Sequence, residues 1–139
     1  MSVFKSADEF VEVIDRTFTL MSDDPEMGPR LREADTPQRF EFPDLELVVN
    51  IRAGSSDEPN LKWEWSDRVS WEPKVKMTMS SETANRYFQG RENVAIAIAR
   101  RRIKAGGDVK AALAILPITK PLFEHYRKMI ASDYPHLEV

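Results

Sequence analysis

The chain has 139 residues, 42% of them apolar and 31% charged, with a net charge of −3. The length predicts one domain over residues 1–139, and the composition predicts a folded chain rather than a disordered one. The acidic balance argues against nucleic-acid binding. The absence of Cys excludes disulfides, thiolate metal sites and cysteine nucleophiles, and fits a reducing cytoplasm.

Met1 to Lys5 lacks the apolar stretch of a secretion signal. Ser6-Ala7-Asp8-Glu9 reads as a capping box, and Phe10, Ile14, Phe18 and Met21 follow at helical spacing, predicting an amphipathic helix over 7–21. Asp23 to Pro43 is rich in proline and charge, which predicts a loop with room for a short helix at Pro29–Glu33. Alternation of apolar and polar residues then predicts strands at 39–42, 45–52, 61–66 and 74–80, joined by polar turns and therefore largely antiparallel.

The period then changes. Ser80 or Ser81 caps a helix running to Gln89, stopped by Gly90. Asn93 to Arg100 reads as a short helix, and 101–105 as a strand ended by Gly106-Gly107. Asp108 caps a helix over 109–116, which Pro117 is expected to interrupt. Thr119 is expected to cap a last helix carrying Leu122, Tyr126, Met129 and Ile130. The longest apolar run, Ala111 to Ile118, is well short of the ~18 residues of a membrane span, and the ending Leu137-Glu138-Val139 is not a peroxisomal address. The pattern is that of an α+β domain without internal repeats.

The stretch from Val75 to Ile130 resembles the sterol carrier protein type-2 family. The resemblance rests on ordered pieces: the alternating strand Val75 to Met79, the capped helix Ser81 to Gly90, and the small-residue helix Asn93 to Ala99. The basic strand Arg102-Ile103-Lys104, the Gly107-Asp108 turn and the Ala111 to Pro117 helix complete it. The double glycine departs from the single one common in the family. The resemblance implies a five-stranded, mainly antiparallel sheet with helices on one face and an apolar tunnel between them. It also implies binding or transfer of a fatty acid, acyl-CoA or sterol without chemistry and without a cofactor. The alternative is an accessory module beside a lipid-metabolising enzyme, its cavity closed or filled by a protein segment.

On that basis the expected cavity wall is Val49, Trp63, Met77, Met79, Phe88, Ile96, Leu113, Leu116, Leu122, Tyr126 and Met129. Each of these residues also fits ordinary core packing. Trp63 and Trp65 share a strand face, where core packing is favoured, and Trp71 is expected near an opening. The basic run Arg100 to Lys104 suits either a transient contact with an anionic membrane surface or a solvated strand edge, the latter favoured. His125 and His136 lack partners at metal-ligand spacing. Gly106-Gly107-Asp108 reads as a turn and cap rather than an anion site. Asp108, Glu124, His125 and Tyr126 are the nameable candidates for acid–base work, and no catalytic residue is assigned among them.

Overall fold

The computed structural model describes residues 3–139. Helix α1 (Ala7–Asp23) starts as its capping box dictates: the Ser6 hydroxyl accepts the Glu9 N–H at 3.1 Å, and the Lys5 N–H reaches the Glu9 carboxylate at 3.0 Å. Its buried face is Phe10, Val13, Ile14, Thr17, Phe18 and Met21. Helix α2 (Met27–Ala34) is longer than the short helix expected at Pro29–Glu33. The Asp24 carboxylate supplies what the sequence reading missed, accepting the N–H groups of Glu26 and Met27 at 2.9 and 2.8 Å.

Strands β1 (Gln38–Phe42), β2 (Leu47–Ala53) and β3 (Leu61–Trp65) follow as an antiparallel meander. Strand β4 (Val75–Thr78) then pairs parallel to β1, and β5 (Lys104–Gly107) antiparallel to β4. The sheet order is β3-β2-β1-β4-β5, so the chain must cross from one edge past two strands before β4. Residues 66–74 make that crossing over the outer sheet face. Asn50 Nδ2 donates to the Ser66 carbonyl at 2.7 Å and Arg39 Nη1 to the Asp67 carbonyl at 2.9 Å.

The last third alternates helices with the edge strand: α3 (Ser81–Phe88), α4 (Val94–Ala99), α5 (Val109–Thr119) and α6 (Leu122–Asp133), then a 3-10 turn at Pro135–Leu137. Ser80, Asn93 and Asp108 cap the first three through side-chain oxygens that accept the N–H groups of Thr83, Ile96 and Ala111. Gly90, at φ +76°, ends α3 as expected.

Three expectations are corrected here. The edge strand is shifted: Arg101 takes φ +61° in a turn, and β5 runs through both glycines instead of stopping before them. Gly107 sits at φ +78°, where a Cβ would come within 2.4 Å of the Lys74 carbonyl, whereas Gly106 faces open space. Pro117 lies inside α5 without ending it. The N–H it lacks would have served Leu113, whose turn of helix faces solvent, so water can satisfy that carbonyl. Thr119 does not cap α6. Its hydroxyl turns back to the Leu116 carbonyl at 3.0 Å, and α6 starts after Pro121 without a side-chain cap.

Candidate ligand cavity

The inner sheet face carries cross-strand rows set by register. Met77, Phe40, Val49 and Trp65 form one row across β4, β1, β2 and β3; Val75, Gln38, Ile51 and Trp63 form the next. Helix α1 closes the β2–β3 end with aromatic rings. Phe10 meets Phe42 and Trp65 edge-on at 4.7 and 6.1 Å, and Phe18 meets Trp63 at 5.5 Å. One carboxylate oxygen of Asp15 accepts both indole N–H groups, from Trp63 at 2.9 Å and Trp65 at 2.7 Å. Two polar ring edges are thereby satisfied against the helix.

The β1–β4 end is not filled this way. A cavity of about 100 Å³ lies over Gln38, Phe40, Phe42, Met77 and Met79. Ile14, Phe18 and Met21 of α1 bound it on one side, and Ala84, Tyr87 and Phe88 of α3 on another. Its roof is α5, through Ala112, Ile115, Leu116 and Thr119, which lie at i, i+3, i+4 and i+7 on one helix face. Ile51, Val94, Ile103 and Leu122 complete the wall. No charged side chain lines it; its polar groups are Gln38 and the Tyr87–Thr119 hydroxyl pair, 3.1 Å apart. Burial pushes the Tyr87 hydroxyl's pKa up.

Of the expected wall residues, Met77, Met79, Phe88, Leu116 and Leu122 are brought together here. Val49, Tyr126 and Met129 are buried elsewhere in the core, and Trp63 packs against α1. Ile96 and Leu113 lie at the surface, 46% and 36% exposed, because α4 and α5 turn Ala97 and Ala112 inward instead. Trp71 lines a separate polar groove of about 240 Å³ with Asn50, Arg52, Lys62 and Glu64, residues of the outer sheet face.

The α1 stripe and Gln38 are wall residues that the sequence reading did not place in the cavity. Ile14, Phe18 and Met21 were legible as an apolar face, but nothing local told which part of the sheet that face covers.

Solved structures share this fold. The chain superposes on a sterol carrier protein 2 from Yarrowia lipolytica in its apo form with a TM-score of 0.54 at 14% identity, covering 77% of this chain and 87% of that one. The UbiJ-SCP2 ubiquinone synthesis protein gives 0.61 at 8% identity, with 81% and 94% covered. The chain has the sterol carrier protein 2 fold. The inverting sec-alkylsulfatase Pisa1 from Pseudomonas sp. contains the same fold, with a TM-score of 0.63 at 15% identity over 76% of this chain. This chain spans only 16% of that enzyme's length. No protein-family model and no curated protein matches the sequence.

Within this sterol carrier protein 2 fold, the named acid–base candidates stand apart from the cavity. Asp108 caps α5, accepting the Ala111 N–H at 3.0 Å. Glu124 pairs with Lys128 at 3.3 Å on the surface, and His125 lies half exposed, 4.0 Å from Asp24. The Tyr126 hydroxyl donates to Asn85 Oδ1 at 2.6 Å. Asn85 and Gln89 in turn donate to the Leu137 carbonyl at 2.9 and 2.8 Å, a buried network that ties α3, α6 and the C-terminal turn together. Burial raises the pKa of Tyr126 above that of an ordinary phenol. Among the described residues no cluster of His, Asp or Glu is placed to hold a metal ion, and no helix is long and apolar enough to cross a membrane.

Proposed function

We propose that residues 1–139 act as one domain that binds an apolar chain in the α5-roofed cavity, as a carrier for a fatty acid, acyl-CoA or sterol, without chemistry. The observation that carries this reading is a wall built from aliphatic, thioether and aromatic side chains with no charge among them. Such a wall removes hydrocarbon from water at about 25 cal/mol per Å² and fixes orientation with only a few polar groups. Met77, Met79 and Met21 suit varied chain shapes, because thioether side chains adapt to their neighbours.

Size constrains the mechanism. Ligand pockets for drug-sized molecules measure about 300–1,000 Å³, and the cavity is about 100 Å³. Loading an acyl chain therefore requires the wall to move. Helix α5 is the element suited to it: of its residues only Ala112 and Thr119 are buried. The Cys-free composition suits a cytoplasmic setting.

Titration of delipidated protein with a fluorescent fatty acid tests the reading. Saturable binding with one site, micromolar or tighter, is expected, with competition by acyl-CoA or sterol revealing preference. No saturable binding of any of the three classes would sink it. A second reading draws on the alkylsulfatase, in which this fold is a small part of an enzyme: the domain would serve beside a lipid-metabolising enzyme. Copurification with a protein instead of with lipid would favour that role.

A further inference from the structure

Helix α5 is apolar on both sides. Ala112, Ile115, Leu116 and Thr119 face the cavity, while Leu113, Ala114 and Pro117 are exposed. A helix apolar all round is ordinarily covered on every side. Apart from Val3 and Val139 near the chain ends, Ile96 and Leu113 are the exposed large apolar side chains among the described residues. Both stand on helices, α4 and α5, that share one small core cluster through Ala97 and Ala112.

The same segment concentrates positive charge. Residues 91–120 hold seven Lys or Arg against two acidic residues, in a chain whose net charge is −3. Those two acids are engaged. Glu92 pairs with Arg102 at 2.6 Å and with Arg86 at 3.6 Å, and Asp108 caps α5. Among the described residues, Arg100, Arg101, Lys104 and Lys110 are exposed and carry no ion pair.

We propose that the α4–α5 surface docks on an anionic lipid bilayer. The bilayer matches both halves of the feature: phosphates and carboxylates for the unpaired cations, and the headgroup–acyl boundary for Leu113, Ile96 and Pro117. A second copy of the chain would set like charges against each other, and a nucleic acid would leave the apolar side chains unused. Docking here does not depend on what the cavity holds. Where it holds a lipid, the roof helix lies against the membrane, and cargo leaves through the wall nearest its destination.

Cosedimentation with vesicles tests the proposal, using phosphatidylcholine alone and phosphatidylcholine mixed with phosphatidylserine. The protein binds the mixed vesicles, and raised salt weakens that binding. Arg100→Gln and Lys110→Gln each weaken it about fivefold, the effect of one cation near an anionic surface. Leu113→Gln also weakens it, while Lys128→Gln on α6 leaves it unchanged. All four positions are exposed, and thermal unfolding checks that each variant folds. Absence of binding to the mixed vesicles overturns the proposal, as does an equal loss in Lys128→Gln, which would mean attraction without a defined face. Self-association abolished by Leu113→Gln, without vesicle binding, assigns the surface to a second copy instead.

Discussion

The two ends of one sheet face are finished differently. Over β2 and β3, α1 sets aromatic rings edge to face and spends one carboxylate on two indoles, leaving Phe10 and Val49 fully buried. Over β1 and β4, α5 presents small and aliphatic side chains that stop short of the sheet and leave a cavity. The rows of side chains continue across both ends, so the strands do not make the difference; the covering helix does. A bulky, amphipathic helix yields a solid core. A helix of Ala, Leu and Ile with little buried area leaves a hollow.

Substitutions at the two ends should separate in size. Phe10→Ala removes a ring in contact with Phe4, Phe42 and Trp65, and should cost about 3–5 kcal/mol in chemical denaturation. Tyr126→Phe removes one of the two donors to Asn85 Oδ1, the Gln89 amide remaining at 3.1 Å, and should cost about 1.5 kcal/mol. The same tyrosine sets an alkaline limit. Its folded pKa is raised from 10.0 by burial, so above pH 10 the fold holds the proton that the unfolded chain gives up. Stability should hold below pH 10 and fall as the unfolded chain ionises above it, a fall that Tyr126→Phe reduces.

Leu116→Ala, in the half-buried roof beside an existing hollow, should cost only about 1 kcal/mol. A loss equal to that of Phe10→Ala would mean that the roof is packed as tightly as the α1 side. Smallest of all is an acid effect at the β2–β3 turn. There the Arg52 guanidinium, together with the Ser55 N–H and hydroxyl, holds Glu58 at a pKa of about 2, well below 4.5. Its contribution is present above the ordinary value and is lost as pH falls from 4.5 toward about 2. Glu58→Gln should flatten that part of the acid unfolding curve.

The contrast also explains what the sequence made legible. Strand alternation placed Met77 on the inner face, and helix spacing grouped Leu122 with Ile130, because one side of each element is wet. The α5 roof defeated that logic. Ala111 to Ile118 is apolar at nearly every position, so no period marks its inner face, and Leu113 was expected in the wall where Ala112 and Ile115 stand. Val49 and Trp63 lie on the right face of the sheet but under α1, a pairing of distant segments that no local pattern encodes. The parallel β1–β4 pair and the crossing loop that it requires were hidden for the same reason.

Amide hydrogen exchange along α5, compared with α1, tests the central claim most directly. In the ligand-free protein the α5 amides should exchange far faster than those of α1, and saturation with a fatty acid should slow α5 while leaving α1 unchanged. Equal protection of the two helices, unaltered by ligand, would contradict a movable roof over a binding cavity.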